Sequence, residues 1–175
     1  MEFREEMAEG KSGVEQQSIM DQLRKAREEV LAADTLDLDV PHYRGKLVAR
    51  YRVLSNEEIE KMSKRVRRQF RGDKEQAHMV LAMAQDGLIE SCTGLYFRDD
   101  NGDLQQLTAD GAPMVYDVNL ANFLQLGELD SARQVVLEVF GGPDKDMSLV
   151  DHYIRVVKWM RDTGADVTGD LLGEF

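Results

Sequence analysis

The stretch Lys46-Leu47-Val48-Ala49-Arg50-Tyr51-Arg52-Val53-Leu54-Ser55-Asn56-Glu57-Glu58-Ile59 decides how this chain is read. Its first nine residues, 46–54, form the clearest strand signal. Leu47, Ala49, Tyr51 and Val53 share one face, and Arg50 and Arg52 lie on the other. Ser55 and Glu58 then stand at capping-box spacing, and Leu54 and Ile59 fit the hydrophobic staple around it. A helix starting there runs to about Arg71, with Gly72 as its stop. A half-buried strand feeding a well-marked amphipathic helix points to a mixed α+β domain.

The pattern outward from this stretch is mostly helical. Upstream, Leu36, Leu38 and Val40 alternate with Asp37 and Asp39 as a short strand that Pro41 ends. Before it, Ile19, Leu23, Ala26 and Val30 recur at helical spacing, predicting a helix over 14–33. Residues 1–13 are charged and glycine-containing and read as a loose acidic tail. Downstream, Asp73 and Gln76 cap a helix whose apolar residues, Ala77 and Met79 to Ala84, go nearly all round it, as in a buried central helix. Gly87 ends or bends it. Thr93–Arg98 and Asp103–Thr108 form a β-hairpin around Asn101-Gly102. Gly111-Ala112-Pro113 is a loop. Helices follow over 118–126 and 129–140, separated by Gly127 and stopped by Gly141-Gly142-Pro143. Ser148 and Asp151 cap a last helix carrying Leu149, Val150, Tyr153, Ile154, Val157 and Met160. The chain thus divides into a tail, 1–13, an N-terminal amphipathic helix within 14–35, a globular domain over 36–163 and a flexible tail over 164–175. The expected fold is predominantly helical α+β, a compact bundle of about five to six helices with a few short strands, including a hairpin near 94–108.

Composition narrows the function. The 175 residues carry 33 acids against 22 bases, a net charge of −11. Residues 1–39 are net −6, residues 40–75 net +6 and residues 76–175 net −11. The single Cys92 excludes an internal disulfide and reads as a small packed residue. No apolar run is long enough to span a bilayer, and Met1–Glu6 holds no apolar signal region, so a cytoplasmic protein without a membrane partner is expected. Helical geometry places Ile59, Met62, Val66 and Phe70 on one arc of the 56–71 helix. Lys61, Lys64, Arg65, Arg67, Arg68 and Arg71 lie on the opposite arc. That basic face is a candidate for an anion or nucleic-acid contact, but net −11 and the lack of interleaved aromatics disfavour nucleic acid. An acidic neighbour or a protein partner fits better. Lys61, Lys64, Arg65, Arg68 and Arg71, with the half-exposed Trp159, are therefore the candidate partner-binding residues.

No catalytic or metal-binding set emerges. Asp99-Asp100-Asn101-Gly102-Asp103 places acids or amides at calcium-loop positions one, three and five, but Leu104 stands where glycine is needed, and a hairpin turn explains it better. His42, His78 and His152 have no ligand spacing; His78 reads as a core or boundary residue. Asp151-His152 are sequence neighbours that point apart on a helix. The nine methionines, among them Met79, Met83, Met147 and Met160, read first as core filling and second as an adaptable binding surface. No cofactor is implied, and the chain reads as a non-enzyme.

Val40-Pro41-His42-Tyr43-Arg44-Gly45 and the strand and helix after it resemble the opening of the tail assembly chaperones of long-tailed (siphovirus-type) bacteriophages of actinobacteria. Leu88-Ile89-Glu90-Ser91-Cys92-Thr93-Gly94-Leu95-Tyr96, the acidic hairpin, Ala132-Arg133-Gln134-Val135-Val136-Leu137 and Trp159-Met160 are similar to that family too, so the resemblance covers about 36–162. It implies a non-enzymatic protein of the host bacterial cytoplasm, absent from the mature virion. Such a protein binds the helical tape measure protein, keeps it from aggregating and promotes assembly of the tail tube protein around it. It also implies a longer form made by ribosomal frameshifting. Homo-oligomerisation is open. A virion connector protein and a small nucleic-acid-binding regulator using the 56–71 helix are the competing readings.

Overall fold

The computed structural model describes residues 2–72 and 76–163, and in the first helix the side chains of 13–30 and 33. The chain forms two units, Met1–Asp34 and Thr35–Phe175. The first is a single helix, α1 (Glu2–Ala33). It takes in residues 2–13, read above as tail. Their Glu, Arg and Lys are good helix formers, and Gly10 and Gly13 cost only about 1 kcal/mol each in a helix. The proposed Asp73 cap and the tail over 164–175 lie outside the described residues.

The second unit is predominantly helical α+β. Its main sheet has the order β1 (Thr35–Asp39), β2 (Leu47–Arg52), β3 (Cys92–Arg98), β4 (Leu104–Gln106), with every pair antiparallel. The register sets Leu36 opposite Tyr51 and Leu38 opposite Ala49. Leu47 stands opposite Phe97, and Ala49 opposite Leu95. These residues share one face, as the alternation in 46–54 predicts. Asp37 stands opposite Arg50 on the other face and pairs with it at 2.7 Å and 3.0 Å. The Arg50 guanidinium lies 4.2 Å from the Tyr96 ring centroid and also donates to its hydroxyl. Asp37 and Asp39 on an edge strand discourage pairing with a further strand.

β3 and β4 form the hairpin the Asn101-Gly102 signal predicts. Asp99 Oδ1 accepts from the amides of Asn101 and Asp103, both at 2.9 Å, so this carboxylate is spent on the turn. A second small hairpin joins β5 (Thr108–Ala109) and β6 (Ala112–Pro113), where a plain loop was expected. Asp110 and Gly111 both have positive φ, 51° and 79°, as a two-residue hairpin turn requires.

Helix α2 (Asn56–Gln69) starts as predicted. Ser55 Oγ accepts from the Glu58 amide and the Glu58 carboxylate accepts from the Ser55 amide. Ile59, Met62, Ser63 and Val66 are buried, and so are Leu54 and Ile59 of the staple. Helix α3 (Gln76–Ser91) is the central element, packed against α2, β2 and two later helices, α5 (Ala132–Phe140) and α6 (Lys145–Asp162). The helix continues to Ser91, so Gly87 does not end it. A side chain there would run into the Tyr153 ring of α6, so glycine allows the two helices to approach closely. His78 is exposed on the first turn of α3, not in the core.

The remaining boundaries shift. Helix α4 (Val118–Phe123) ends three residues before Leu126, where Gln125 and Gly127 take positive φ. Helix α5 starts after the Ser131 cap, not at Leu129. Helix α6 starts at Lys145, so Ser148 lies inside its first turn and is not its cap. The core is filled by Val48, Tyr51, Met62, Met83, Leu88, Leu95, Val136, Phe140, Leu149 and Val156, each at most 1% exposed.

Candidate partner-binding surface

The basic face of α2 is exposed, but its charges are divided. Lys61 pairs with Glu57 at 2.8 Å and Lys64 with Glu60 at 2.7 Å, both four residues apart and exposed. Pairs this exposed are screened by solvent and add little to stability. Arg65 reaches across to α3, where it pairs with Asp86 at 3.0 Å and with Glu90. Arg68 and Arg71 are exposed at the end of the helix and make no ion pair among the described residues. Trp159 is half-buried on α6. The main neighbour of α2 is α3, and those of α6 are α3 and α5. The six candidate residues are thus spread over two helices that flank α3. Three of them are held in pairs within the protein.

Two buried clusters are not signalled by local spacing. The first is a clamp around Asp86, 6% exposed on α3. Arg133 of α5 donates to both of its oxygens, at 2.7 Å and 2.8 Å, and Arg65 of α2 donates from a third helix. Arg133 also bonds Gln69 at 2.6 Å, and Gln85 donates to the Arg133 carbonyl at 3.0 Å. Burial raises the Asp86 carboxyl, but Arg133 and Arg65 outweigh it and hold the group below the usual carboxylate range. The carboxylate is saturated by cations that belong to the fold. The clamp is therefore a tie between α2, α3 and α5.

The second cluster runs Tyr116–Tyr51–His152. The two hydroxyls are 2.7 Å apart, and the Tyr51 hydroxyl is 2.8 Å from His152 Nε2. The Phe140 ring packs edge-on against His152 at 4.9 Å. Burial, helped by Arg155, brings the His152 imidazole down to about 4, so it is neutral at pH 7. Burial also pushes the neighbouring Cys92 thiol up to about 12. A protonated thiol with no activating base is a packed residue and not a nucleophile. Tyr51, Tyr116 and His152 are at most 4% exposed, which closes this chain of hydroxyls to solvent. Among the described residues no group of three His, Cys, Asp or Glu could hold a metal ion.

What the surface offers instead is apolar. Met83 and Met160 fill the core, whereas Met147 on α6 is 69% exposed. Ile154 on the same helix, Val118 and Phe123 on α4, and Phe97 on β3 are also exposed. In α1, taken by itself, Val14, Ile19, Met20, Leu23 and Val30 are all more than half exposed. Among the described residues no helix is long and apolar enough to cross a membrane. In comparison with known proteins, no family model, curated protein or solved structure matches the chain.

Proposed function

We propose that this protein is a tail assembly chaperone of the kind its sequence resembles, a non-catalytic binder of the phage tape measure protein. The observation that carries this reading is the exposed apolar side of α1, where Ile19, Leu23 and Val30 lie open on a helix that forms its own unit. Surface-exposed apolar side chains on a helix suit a helix-on-helix contact with another protein. In this role the protein holds apolar stretches of the tape measure protein until the tail tube protein covers them. It acts in the host cytoplasm and leaves before the virion matures.

The ion pairs of Lys61, Lys64 and Arg65 count against the nucleic-acid reading, because they neutralise half of the basic face from within. The test is coexpression with the tape measure protein of the same phage. The expected result is a larger soluble tape measure fraction that co-purifies with this chain. An insoluble tape measure protein whether or not this chain is present overturns the proposal.

A further inference from the structure

Helix α6 ends where the second unit carries its unpaired arginines. Helices α5 and α6 are joined by the short loop 141–144 and run antiparallel, with Glu138 paired to Lys145 and the Phe140 ring packed on His152. Trp159 stands two turns past His152, and Arg133 two turns before Phe140, so helical periodicity brings Trp159 level with Arg133. Arg133 in turn bonds Gln69, the last residue of α2, at 2.6 Å. The ends of α6 and α2 therefore lie at the same end of the unit. Arg68 and Arg71 of α2 and Arg161 of α6 are exposed there, and none of the three has an ion pair among the described residues.

The sequence supplies an occupant for this end. Residues 164–175 follow directly on Thr163, carry Asp166, Asp170 and Glu174, and hold no Lys or Arg. Leu171, Leu172 and Phe175 lie among these acids and offer apolar side chains to the half-buried Trp159. Helices α2 and α6 both pack on α3, so at most two interhelical spacings of about 10 Å separate them. A chain of this length reaches about 40 Å, well beyond that distance. We infer that residues 164–175 fold back on this end of the same molecule, with their carboxylates pairing with Arg68 and Arg71. A segment tethered this close has an effective concentration of about millimolar order, so contacts too weak to hold a free peptide suffice. The bound segment covers Arg68, Arg71 and Trp159, three of the six candidate partner-binding residues, and an acidic partner takes this end by displacing it. The inference does not rest on the proposed function.

The test uses the full-length chain, isotopically labelled for NMR, with a nitroxide on Gly173→Cys. Cys92 is buried, so the new thiol takes the label. The expected result is loss of the Arg68, Arg71 and Gly72 amide signals and their return when the nitroxide is reduced. Gly102 is the control and should keep its signal. Arg98 bonds the Gly45 carbonyl and His42 lies against Gly142, which sets the hairpin near the other end of α5. Arg68→Glu with Arg71→Glu should restore the signals at these positions. Adding Asp166→Lys, Asp170→Lys and Glu174→Lys to that variant should remove them again, as exchanged charges pair once more. Both arginines are exposed, and unchanged signals elsewhere in the spectrum check that the variants fold. Signals that persist in the chain with native arginines would overturn the inference, and so would equal loss in the Arg68→Glu, Arg71→Glu chain, which would reflect tethering without recognition. Equal loss when the nitroxide and the isotope are on separate, mixed molecules would place the segment on a second copy and overturn it too.

Discussion

Replacing Gly87 with alanine sets two effects of opposite sign against each other. Glycine in the interior of α3 costs about 1 kcal/mol relative to alanine, so propensity alone predicts a gain. The packing predicts a loss. A Cβ at Gly87 would lie 2.8 Å from Tyr153 Cζ, 3.0 Å from its Oη and nearer still to Cε2. Carbon atoms pack best at about 3.5–4.0 Å, so the ring or the helix must move by roughly 1 Å. Tyr153 is 5% exposed and its ring is rigid, which leaves it no open space to swing into. Overpacking of this kind costs about 1–3 kcal/mol, and this site belongs at the upper end. The expected net effect of Gly87→Ala is therefore a destabilisation of about 2 kcal/mol, a fall in Tm of roughly 4–8 °C. Trp159, the only tryptophan, lies on the helix being displaced and reports the urea transition by fluorescence. The Tyr153→Ala background separates the two effects. There the clash is gone, and Gly87→Ala should stabilise by about 1 kcal/mol, a coupling of about 3 kcal/mol between the two sites. Stabilisation by Gly87→Ala in the unmodified chain, or the same effect in both backgrounds, would refute the close-approach argument.

Asp86→Ala strands Arg133 and frees Arg65. Removing one member of a buried pair costs about 3–5 kcal/mol. Arg65 is 53% exposed and keeps Glu90, so the lower end is expected; a loss under about 1 kcal/mol in urea unfolding would show that the clamp does not hold the helices. Below neutral pH, His152 should make the protein acid-labile. Its imidazole lies at about 4 when folded, against an ordinary value of 6.5, so the unfolded chain binds the proton first. Stability should then fall by roughly 3 kcal/mol as pH drops from 6.5 to about 4. The low-lying Asp86 and Glu58 carboxyls add their own loss as pH falls through the acidic range. His152→Phe leaves the Tyr51–Tyr116 bond in place and should flatten only the upper part of the profile; an unchanged slope there would rule His152 out as its origin. Ser55→Ala should cost about 1 kcal/mol through the lost cap, read as a lower urea midpoint, and no change would mean that Glu58 and Arg52 hold the helix start unaided.

The elements that could be read from the sequence are those whose causes are local. The Ser55–Glu58 box, the alternation in 46–54 and the Asn101-Gly102 turn each act within a few residues, and each appears where expected. Asp110-Gly111 is just as local, and its dipeptide is a hairpin signal in its own right. Reading Gly111 with Ala112 and Pro113 as loop punctuation hid it. Other features depend on distant partners. Gly87 reads as a helix breaker until Tyr153 is placed against it. Asp86, Arg65 and Arg133 are separated by 21 and 47 residues, and no spacing rule joins them. The sequence sets Asp151 beside His152, whereas the partner of His152 is Tyr51, 101 residues away. Of the candidate surface, the sequence shows which residues are cationic. It does not show that Lys61, Lys64 and Arg65 already have anions.

The division of charge bears on what the protein can bind. The basic block over 40–75 holds 11 bases, which looks like a site prepared for an anion. Among the described residues at least five of them are used at home: Arg50 on Asp37, Arg52 on Glu58, Lys61 on Glu57, Lys64 on Glu60, and Arg65 on Asp86 and Glu90. Arg98 and Arg133, outside the block, are taken up by Asp39 and Asp86 in the same way. A cation already paired within the fold gives a nucleic acid few counterions to release, and counterion release is what drives such binding. The net charge of −11 is then left to the rest of the surface. An acidic surface with exposed apolar side chains repels polyanions and steers toward cationic partners. Arg50, Arg52 and Arg65 of the basic block therefore tie strands and helices together, whereas the pairs of Lys61 and Lys64 stay within α2.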